Sequence, residues 1–373
     1  MEKQSSERII SLDALRGFDM FFIMGSPIFF KGLAKVLDCE PFIWWYEQMK
    51  HCTWDGVRIM DIVFPLFLFI AGISFPLSYK KRLLSPLYSR KEIYTHIIKR
   101  MSLLVILGFL YNGFLSELNF AEARYCSVLG RIGIAWGVAA FIFINTTPKQ
   151  RLLFILTILV GYWFLFLFLK APDAPLEATK YSPEGNIAGY IDRLLLPGKL
   201  YKPGLYEAEG ILSTLPAICT ALIGMFVGEF MQNKKYSNKQ KIYHLFSVGT
   251  LLTFIGWIWS FTLPLNKTLW SSSFVLYVGG ISIILFSIFY WIFDVKHKFK
   301  IVSTFFCVIG VNSIFIYLIQ KIVSFNDISL FFIKGICNLL PQDWYLVILG
   351  ITRVSICWLL LYYMYKRKIF FKI

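Results

Sequence analysis

The chain has 373 residues, of which 57% are hydrophobic and 18% aromatic, and its mean hydropathy is +0.63. That apolar share lies far above that of a soluble domain and predicts a polytopic membrane protein. The formal charge of +16 would suit a nucleic-acid partner, but the cations are gathered in the connections between apolar stretches, which points away from nucleic acid.

A helix needs roughly 20 apolar residues to cross a bilayer. Ten stretches meet that requirement, at about 12–30, 57–79, 93–115, 125–146, 151–169, 211–231, 241–263, 271–293, 302–323 and 344–366. The alternating pattern of an outer-membrane barrel is missing, so the expected fold class is all-α, a polytopic helical bundle of about ten transmembrane helices. No linker or low-complexity tract interrupts the series, and residues 1–373 read as a single transmembrane domain. No internal repeat is visible, which weakens a transporter reading.

Lys3 and Arg8 precede the first apolar run and could imitate a signal peptide. No small-residue cleavage pattern follows Phe30, so this run is expected to be a retained first span. Asp13, Arg16 and Asp19 cluster at its start, and polar groups within spans default to function. The first connection carries Asp38, Glu40 and Glu47 and ends in Lys50-His51-Cys52-Thr53-Trp54-Asp55-Gly56, just before the second span. The chain has four histidines, and His96, His244 and His297 all lie beside basic residues, which leaves His51 as the odd one out. An imidazole titrating near neutrality at a membrane mouth suits a general base; the alternative is an interfacial histidine that caps a helix. Cys52 as a nucleophile assisted by His51 is disfavoured, because adjacent residues do not face each other on a helix.

Lys80, Lys81, Arg82, Arg90, Lys91, Lys99 and Arg100 fill the second connection, and Asp61 sits three residues past Arg58. Lys149 and Arg151 mark the fourth connection, Lys234, Lys235, Lys239 and Lys241 the sixth, Lys296, Lys298 and Lys300 the eighth, and Lys366, Arg367, Lys368 and Lys372 the tail. Even connections and the C-terminus are therefore basic, whereas the odd ones are poorer in cations or balanced by acids, as with Asp173, Glu177, Glu184, Asp192, Glu207 and Glu209 in the fifth. By the positive-inside bias both termini are expected in the cytoplasm, with His51 facing outward.

Arg124 and Arg131 flank the start of the fourth span at a spacing of seven, which puts them on roughly one helix face. The deeper Arg131 could bind a phosphate or carboxylate bidentately, or form a structural ion pair with Asp61 or Asp13. The connection at about 170–210 contains Pro172, Pro175, Pro183, Pro197 and Pro203 with Gly185, Gly189, Gly198 and Gly204, which favours turns over a long helix and suits an outward binding loop. Asn312 and Ser313 interrupt the ninth span and could donate to a ligand or join helices. Residues 324–340 are too short to cross comfortably and read as re-entrant or interfacial.

Cys126, Cys219, Cys307, Cys337 and Cys357 are scattered through apolar segments without metal-ligand spacing and read as packing residues. Cys39 and Cys52 share the outward first connection, where a disulfide is chemically permitted. There is no Gly-rich phosphate loop, no His-Glu-x-x-His pair and no Cys/His cluster, so neither ATP hydrolysis nor a metal site is expected.

Several segments together resemble the heparan-alpha-glucosaminide N-acetyltransferase family and its bacterial relatives. They are Ser11-Leu12-Asp13-Ala14-Leu15-Arg16-Gly17, His51-x-x-Trp54-x-Gly56 with Asp61-x-x-Phe64-Pro65, and Val128-Leu129-Gly130-Arg131-Ile132-Gly133. Further matches are Gly189–Leu196, Glu209-Gly210-Ile211-Leu212, Asn266-Lys267-x-Leu269-Trp270-Ser271, Asn312-Ser313-Ile314 and Lys368-Ile369-Phe370. The chain departs from the pattern at Met24-Gly25-Ser26-Pro27, where many relatives have an asparagine-rich turn. The resemblance does not extend to the N-terminal luminal domain of the animal members.

The resemblance implies a transmembrane acetyltransferase that moves an acetyl group from cytoplasmic acetyl-CoA to the amine of a glucosamine-type sugar on the outer side. Under it His51 and Asp61 are the catalytic candidates, and Arg131, Asn312 and Ser313 the candidates for contacts to acetyl-CoA. Trp54, Glu209 and Trp270, in the matched segments, are the candidates for acceptor binding. No metal is implied, the expected location is a bacterial inner membrane, and a homodimer is compatible with it. The rival expectation is an amino-sugar or oligosaccharide permease in which His51 is a gate. A scaffold for an envelope complex would leave His51, Asp61 and Arg131 without a reason to be polar.

Overall fold

The computed structural model describes residues 9–83, 89–339 and 341–371, and for Lys81, Ser116, Glu117 and Ile336 the backbone alone. Lys3, Arg8 and Lys372, and with them the reading of the N-terminus as a retained segment, lie outside the described residues. The helices are α1 (Ile10–Met24), α2 (Ser26–Leu37), α3 (Glu40–Gln48), α4 (Ile59–Leu83), α5 (Arg90–Tyr111), the single turn α6 (Phe114–Glu117), α7 (Val128–Asn145) and α8 (Pro148–Phe168). They continue with α9 (Ile187–Leu195), α10 (Ile211–Met231), α11 (Asn238–Trp259), α12 (Ser272–Phe289), α13 (Lys300–Val311), α14 (Ser313–Ile322), α15 (Phe325–Cys337) and α16 (Tyr345–Lys366). Among the described residues the only non-helical pairing is two isolated β-bridges, so the chain is all-α.

Among the described residues eight helices are long and apolar enough to cross a membrane, or up to ten where each of two bent pairs counts as one span. The chain is thus a multi-pass membrane protein. The first and ninth spans are broken, the ninth where Asn312 and Ser313 interrupt the apolar run. Gly25 separates α1 from α2 at a 57° bend, and Asn312 separates α13 from α14 at 63°. Gly25 has φ +150°, a conformation that side chains disfavour. Ser26 then donates to the carbonyls of Phe21 (3.2 Å) and Phe22 (3.0 Å), and Pro27 brings no amide hydrogen to the new helix start. At the second break Asn312 donates to Ile369 O (3.0 Å) and accepts from Phe371 N (2.8 Å).

Ordinary helix starts are legible in the sequence. Ser89, Thr147 and Ser237 form capping boxes with Glu92, Gln150 and Gln240 at the beginnings of α5, α8 and α11. The outer faces of those helices stay apolar: Leu251, Phe254, Ile255, Trp257 and Ile258 of α11 are exposed, as a lipid-facing helix requires. The segment at 324–340 contains α15, whose thirteen residues cover roughly 20 Å at 1.5 Å each, less than the roughly 30 Å hydrocarbon core. The long 170–210 connection is mostly turns around α9.

The chain forms two compact units. Unit 1 contains residues up to His51, Arg58–Val63 and Ile284–Lys372. In it α1 packs along α13, α2 along α16, and α15 along α16. A π-helical turn, Tyr290–Val295, brings Asp294 over the start of α1, where its two oxygens accept from Ile10 N and Ser11 N at 2.8 Å each. Unit 2 contains Cys52–Val57 and Phe64–Ile283. There α7 packs against α5 and α10, with α8 and α9 on α10.

The α1–α13 crossing depends on two glycines that let the backbones meet. A Cβ at Gly17 would stand 1.8 Å from Phe306 O, and one at Gly310 1.9 Å from Asp13 O. Such small residues permit the closest helix packing in lipid. We expect Gly310→Ala to destabilise the protein by about 1–3 kcal/mol, the scale of overpacking. The readout is a lowered thermal midpoint in detergent. Gly161→Ala, at a position with nothing within 4 Å, serves as the control that does not lower it.

Candidate active site

In unit 1 the chain leaves α3 at Gln48, turns through His51 and returns to start α4 at Ile59. The turn is tied at several points. Arg58 reaches Glu47 Oε2 (3.4 Å) and His51 O (3.5 Å), Glu47 also pairs with Lys50, and Gln48 Oε1 accepts from Ile59 N (3.2 Å). Asp61, third residue of α4, turns one oxygen back to Arg58 N (3.1 Å) and the other to His51 Nδ1 (2.8 Å). Gln48 thus bonds the first amide of α4, and Asp61 the amide just before it. Met49 and Val63, each two residues from a member of the pair, form an apolar cluster with Phe22.

The two partners differ sharply in exposure. The Asp61 side chain is 2% exposed and that of His51 57%. An ionised carboxylate at Nδ1 takes the ring hydrogen there, which leaves the basic lone pair on Nε2. The same carboxylate stabilises the imidazolium that forms when Nε2 takes a proton. A histidine paired in this way can act as a general base.

In unit 2 the residues just after His51 are fastened to two loops. Gly56 N donates to Leu265 O (2.8 Å), Asn266 Nδ2 to Asp55 Oδ1 (3.3 Å), and Trp54 Nε1 to Tyr181 O (2.6 Å). The Trp54 ring packs on Tyr206 at 4.8 Å. Trp270 is fully buried with φ +51°, in the left-handed region that bulky residues rarely enter. Leu269 N on Asn266 Oδ1 (2.9 Å) and Tyr162 Oη on Leu269 O (2.6 Å) hold that turn. The indole donates to Thr220 Oγ1 (3.0 Å) and lies 5.2 Å below the guanidinium of Arg131.

Arg131 is itself buried, in the first turn of α7. Its Nη2 donates to Ser213 Oγ and, at 3.5 Å, to Gly210 O. Nε and Nη1 are enclosed and have no hydrogen-bond partner among the described residues. The structural ion pair weighed for Arg131 is not formed: Asp61 bonds His51 and Asp13 pairs with Arg16 (3.3 Å). Nor do Arg124 and Arg131 share a helix face, because Ser127 caps α7 and Arg124 precedes it, in a bridge to Gly198. Arg124 instead holds Glu207 and Glu209, its Nε 3.0 Å from Glu207 Oε2.

Asn312 and Ser313 are buried in unit 1, where the Asn312 amide serves the backbone of the tail. Cys39 and Cys52 form no disulfide among the described residues. Among the described residues no group of three or more His, Cys, Asp or Glu side chains is placed to hold a metal ion. Sequence reading missed Ser213, the Arg124–Glu207–Glu209 network and the pairing of His51 with Asp61. A polar residue in the first turn of a span facing a loop histidine is the signal that could have found that pair.

Asp192 of α9 is buried, and its Oδ1 accepts from Ile211 N (2.9 Å) at the start of α10. Burial pushes its carboxyl up to about 7, against the opposing pull of the Ile211 amide and the nearby Arg131 and Arg193, with Glu207 adding to the rise. An acid whose folded value lies above its unfolded one costs stability as pH rises from the unfolded value, about 4, to the folded one. We expect thermal stability of the wild type relative to Asp192→Asn to fall between about pH 4 and 7 and to level off above; parallel melting curves of the two proteins across that range would refute it.

No protein-family model matches the chain. It is similar to proteins named heparan-alpha-glucosaminide N-acetyltransferase, at 28% identity to that of Mus musculus and 27% to that of Homo sapiens, each over 92% of this chain. The matched region covers 60% and 59% of those two relatives, so the chain spans about three-fifths of their length. That likeness to the two N-acetyltransferases runs through nearly all of this chain.

Proposed function

We propose that this protein is a transmembrane N-acetyltransferase of a bacterial inner membrane, which passes an acetyl group from cytoplasmic acetyl-CoA to the amine of a glucosamine-type sugar on the outer side. The observation that carries this reading is the hydrogen bond between the exposed His51 and the buried Asp61. An amino sugar is mostly an ammonium ion near neutral pH and cannot attack until it loses a proton. His51 Nε2 takes that proton, and Asp61 balances the charge on the ring. The freed amine then attacks the thioester carbonyl, and the thiolate leaves. A transient acetyl group on His51 is the covalent variant of the same chemistry.

Of the candidates for holding the donor, Arg131 is the best supported, because its enclosed Nε and Nη1 want an oxygen acceptor. A phosphate of the CoA arm or the acetyl carbonyl supplies one. Asn312 and Ser313 are secondary, since the Asn312 amide is already engaged by the tail. Trp54 and Glu209 are the acceptor-side candidates, and the buried Trp270 supports Arg131 from below.

Purified protein given radiolabelled acetyl-CoA and a panel of amino sugars should form N-acetyl product; a permease would move labelled sugar and leave acetyl-CoA intact. His51→Ala should lower turnover by about 100-fold or more, the scale of a lost general base. Asp61→Asn should lower it by about tenfold or more by releasing the ring tautomer. Arg131→Ala should raise the acetyl-CoA requirement by about tenfold, the scale of a charge-assisted hydrogen bond. Wild-type turnover in His51→Ala at matched expression removes the base assignment.

The basic connections give the proposal a direction. In sealed vesicles of known orientation, acetyl-CoA should act only from the face bearing Lys234 and Lys235, and an impermeant amino sugar should be acetylated only from the opposite face. Reaction of both substrates from one face would replace transmembrane transfer with a one-sided mechanism.

A further inference from the structure

Two acids are buried in unit 1 among the described residues, Asp61 and Asp19. Asp61 is bonded by His51 and by Arg58 N. Asp19, in α1, is 1% exposed, and neither of its oxygens accepts a hydrogen bond from any described residue. Arg16, one turn earlier in α1, pairs with Asp13, and the nearer neighbours make apolar contacts. Phe18 packs on Phe22, Phe289 and Phe306, Gly17 lies against the backbone of Phe306, and Phe22 joins the cluster with Met49 and Val63. Ser11 Oγ, also buried without a partner, is eight residues away, about 12 Å along the helix, and cannot serve Asp19.

An isolated carboxylate in such surroundings is far more costly than a lost hydrogen bond, so the group requires an occupant. A metal cation would need several further oxygen ligands around it. A proton needs none, and it converts the carboxylate into a neutral acid that the apolar packing tolerates. Acetyl transfer to an ammonium ion also yields a proton: R–NH3+ plus acetyl thioester gives the amide, the thiol and H+, with the C–S bond broken and the N–C bond formed.

We propose that Asp19 is an intramembrane proton-binding site, occupied in the resting protein and exchanging its proton during turnover. The exchange rests on the acetyltransferase reading, whereas the occupancy does not. A hydrophobic carbodiimide reacts with protonated carboxyl groups in apolar surroundings, so the wild type should yield an adduct on the peptide containing Asp19, more slowly as pH is raised. Infrared spectra of the wild type should contain a carboxylic-acid carbonyl band that Asp19→Asn lacks. Both measurements read the proton whether or not acetyl transfer occurs, so an inactive protein that keeps the band would overturn the functional reading alone. No adduct at Asp19 together with coincident spectra would overturn the site. For exchange, Asp19→Asn should lower turnover about tenfold with both KM values held, and Asp19→Glu should restore most of it. Wild-type turnover in Asp19→Asn overturns the exchange.

Discussion

Hydrocarbon offers no hydrogen bonds, so every backbone group that leaves a helix within the membrane must be satisfied by the protein itself. Much of the polar chemistry of unit 1 follows from that constraint. Its two broken spans each have a side chain at the break, Ser26 on the carbonyls of Phe21 and Phe22 and Asn312 on the backbone of the tail. The π-helical turn at Tyr290–Val295 has a similar use, since it delivers Asp294 to the open amides of Ile10 and Ser11. Residues that look like candidate ligands in the sequence can thus be committed to the backbone. That is why Asn312 ranks below Arg131 as a donor contact.

The polar groups that the backbone does not consume form a different class. His51 and Asp61 join an exposed ring to a buried carboxylate, an arrangement in which the carboxylate favours the tautomer with its hydrogen on Nδ1. Arg131 has the opposite character, a buried cation with two enclosed nitrogens unused and an indole beneath it. The indole belongs to Trp270, whose left-handed backbone is held by Asn266 and Tyr162. Departures from local preference of this kind collect where a protein does chemistry.

Single residues show how far sequence reading reaches. Ser89, Thr147 and Ser237 announce helix starts, because a cap and its partner are three residues apart and need no knowledge of the fold. The same periodic logic fails for Arg124 and Arg131: a spacing of seven means one face only inside one helix, and the cap at Ser127 lies between them. The first and ninth spans were legible as apolar runs, but their bends were not. A hydropathy window averages over Gly25 and Asn312, whereas the bend depends on the carbonyl and amide partners found there.

The sequence by itself determined the all-α class, the ten apolar segments and the alternation of basic and acidic connections. These are properties of contiguous residues, and lipid demands that each spanning segment satisfy its own backbone. It also singled out His51, Asp61 and Arg131 as residues needing a reason to be polar. Only the tertiary structure decided which side chains meet: His51 with Asp61 across a turn of ten residues, Arg131 with Ser213 across 82, and Asp19 with no hydrogen-bond partner among the described residues. Whether a charge is paired depends on side chains brought together by packing between helices, and no periodicity within one helix carries that information.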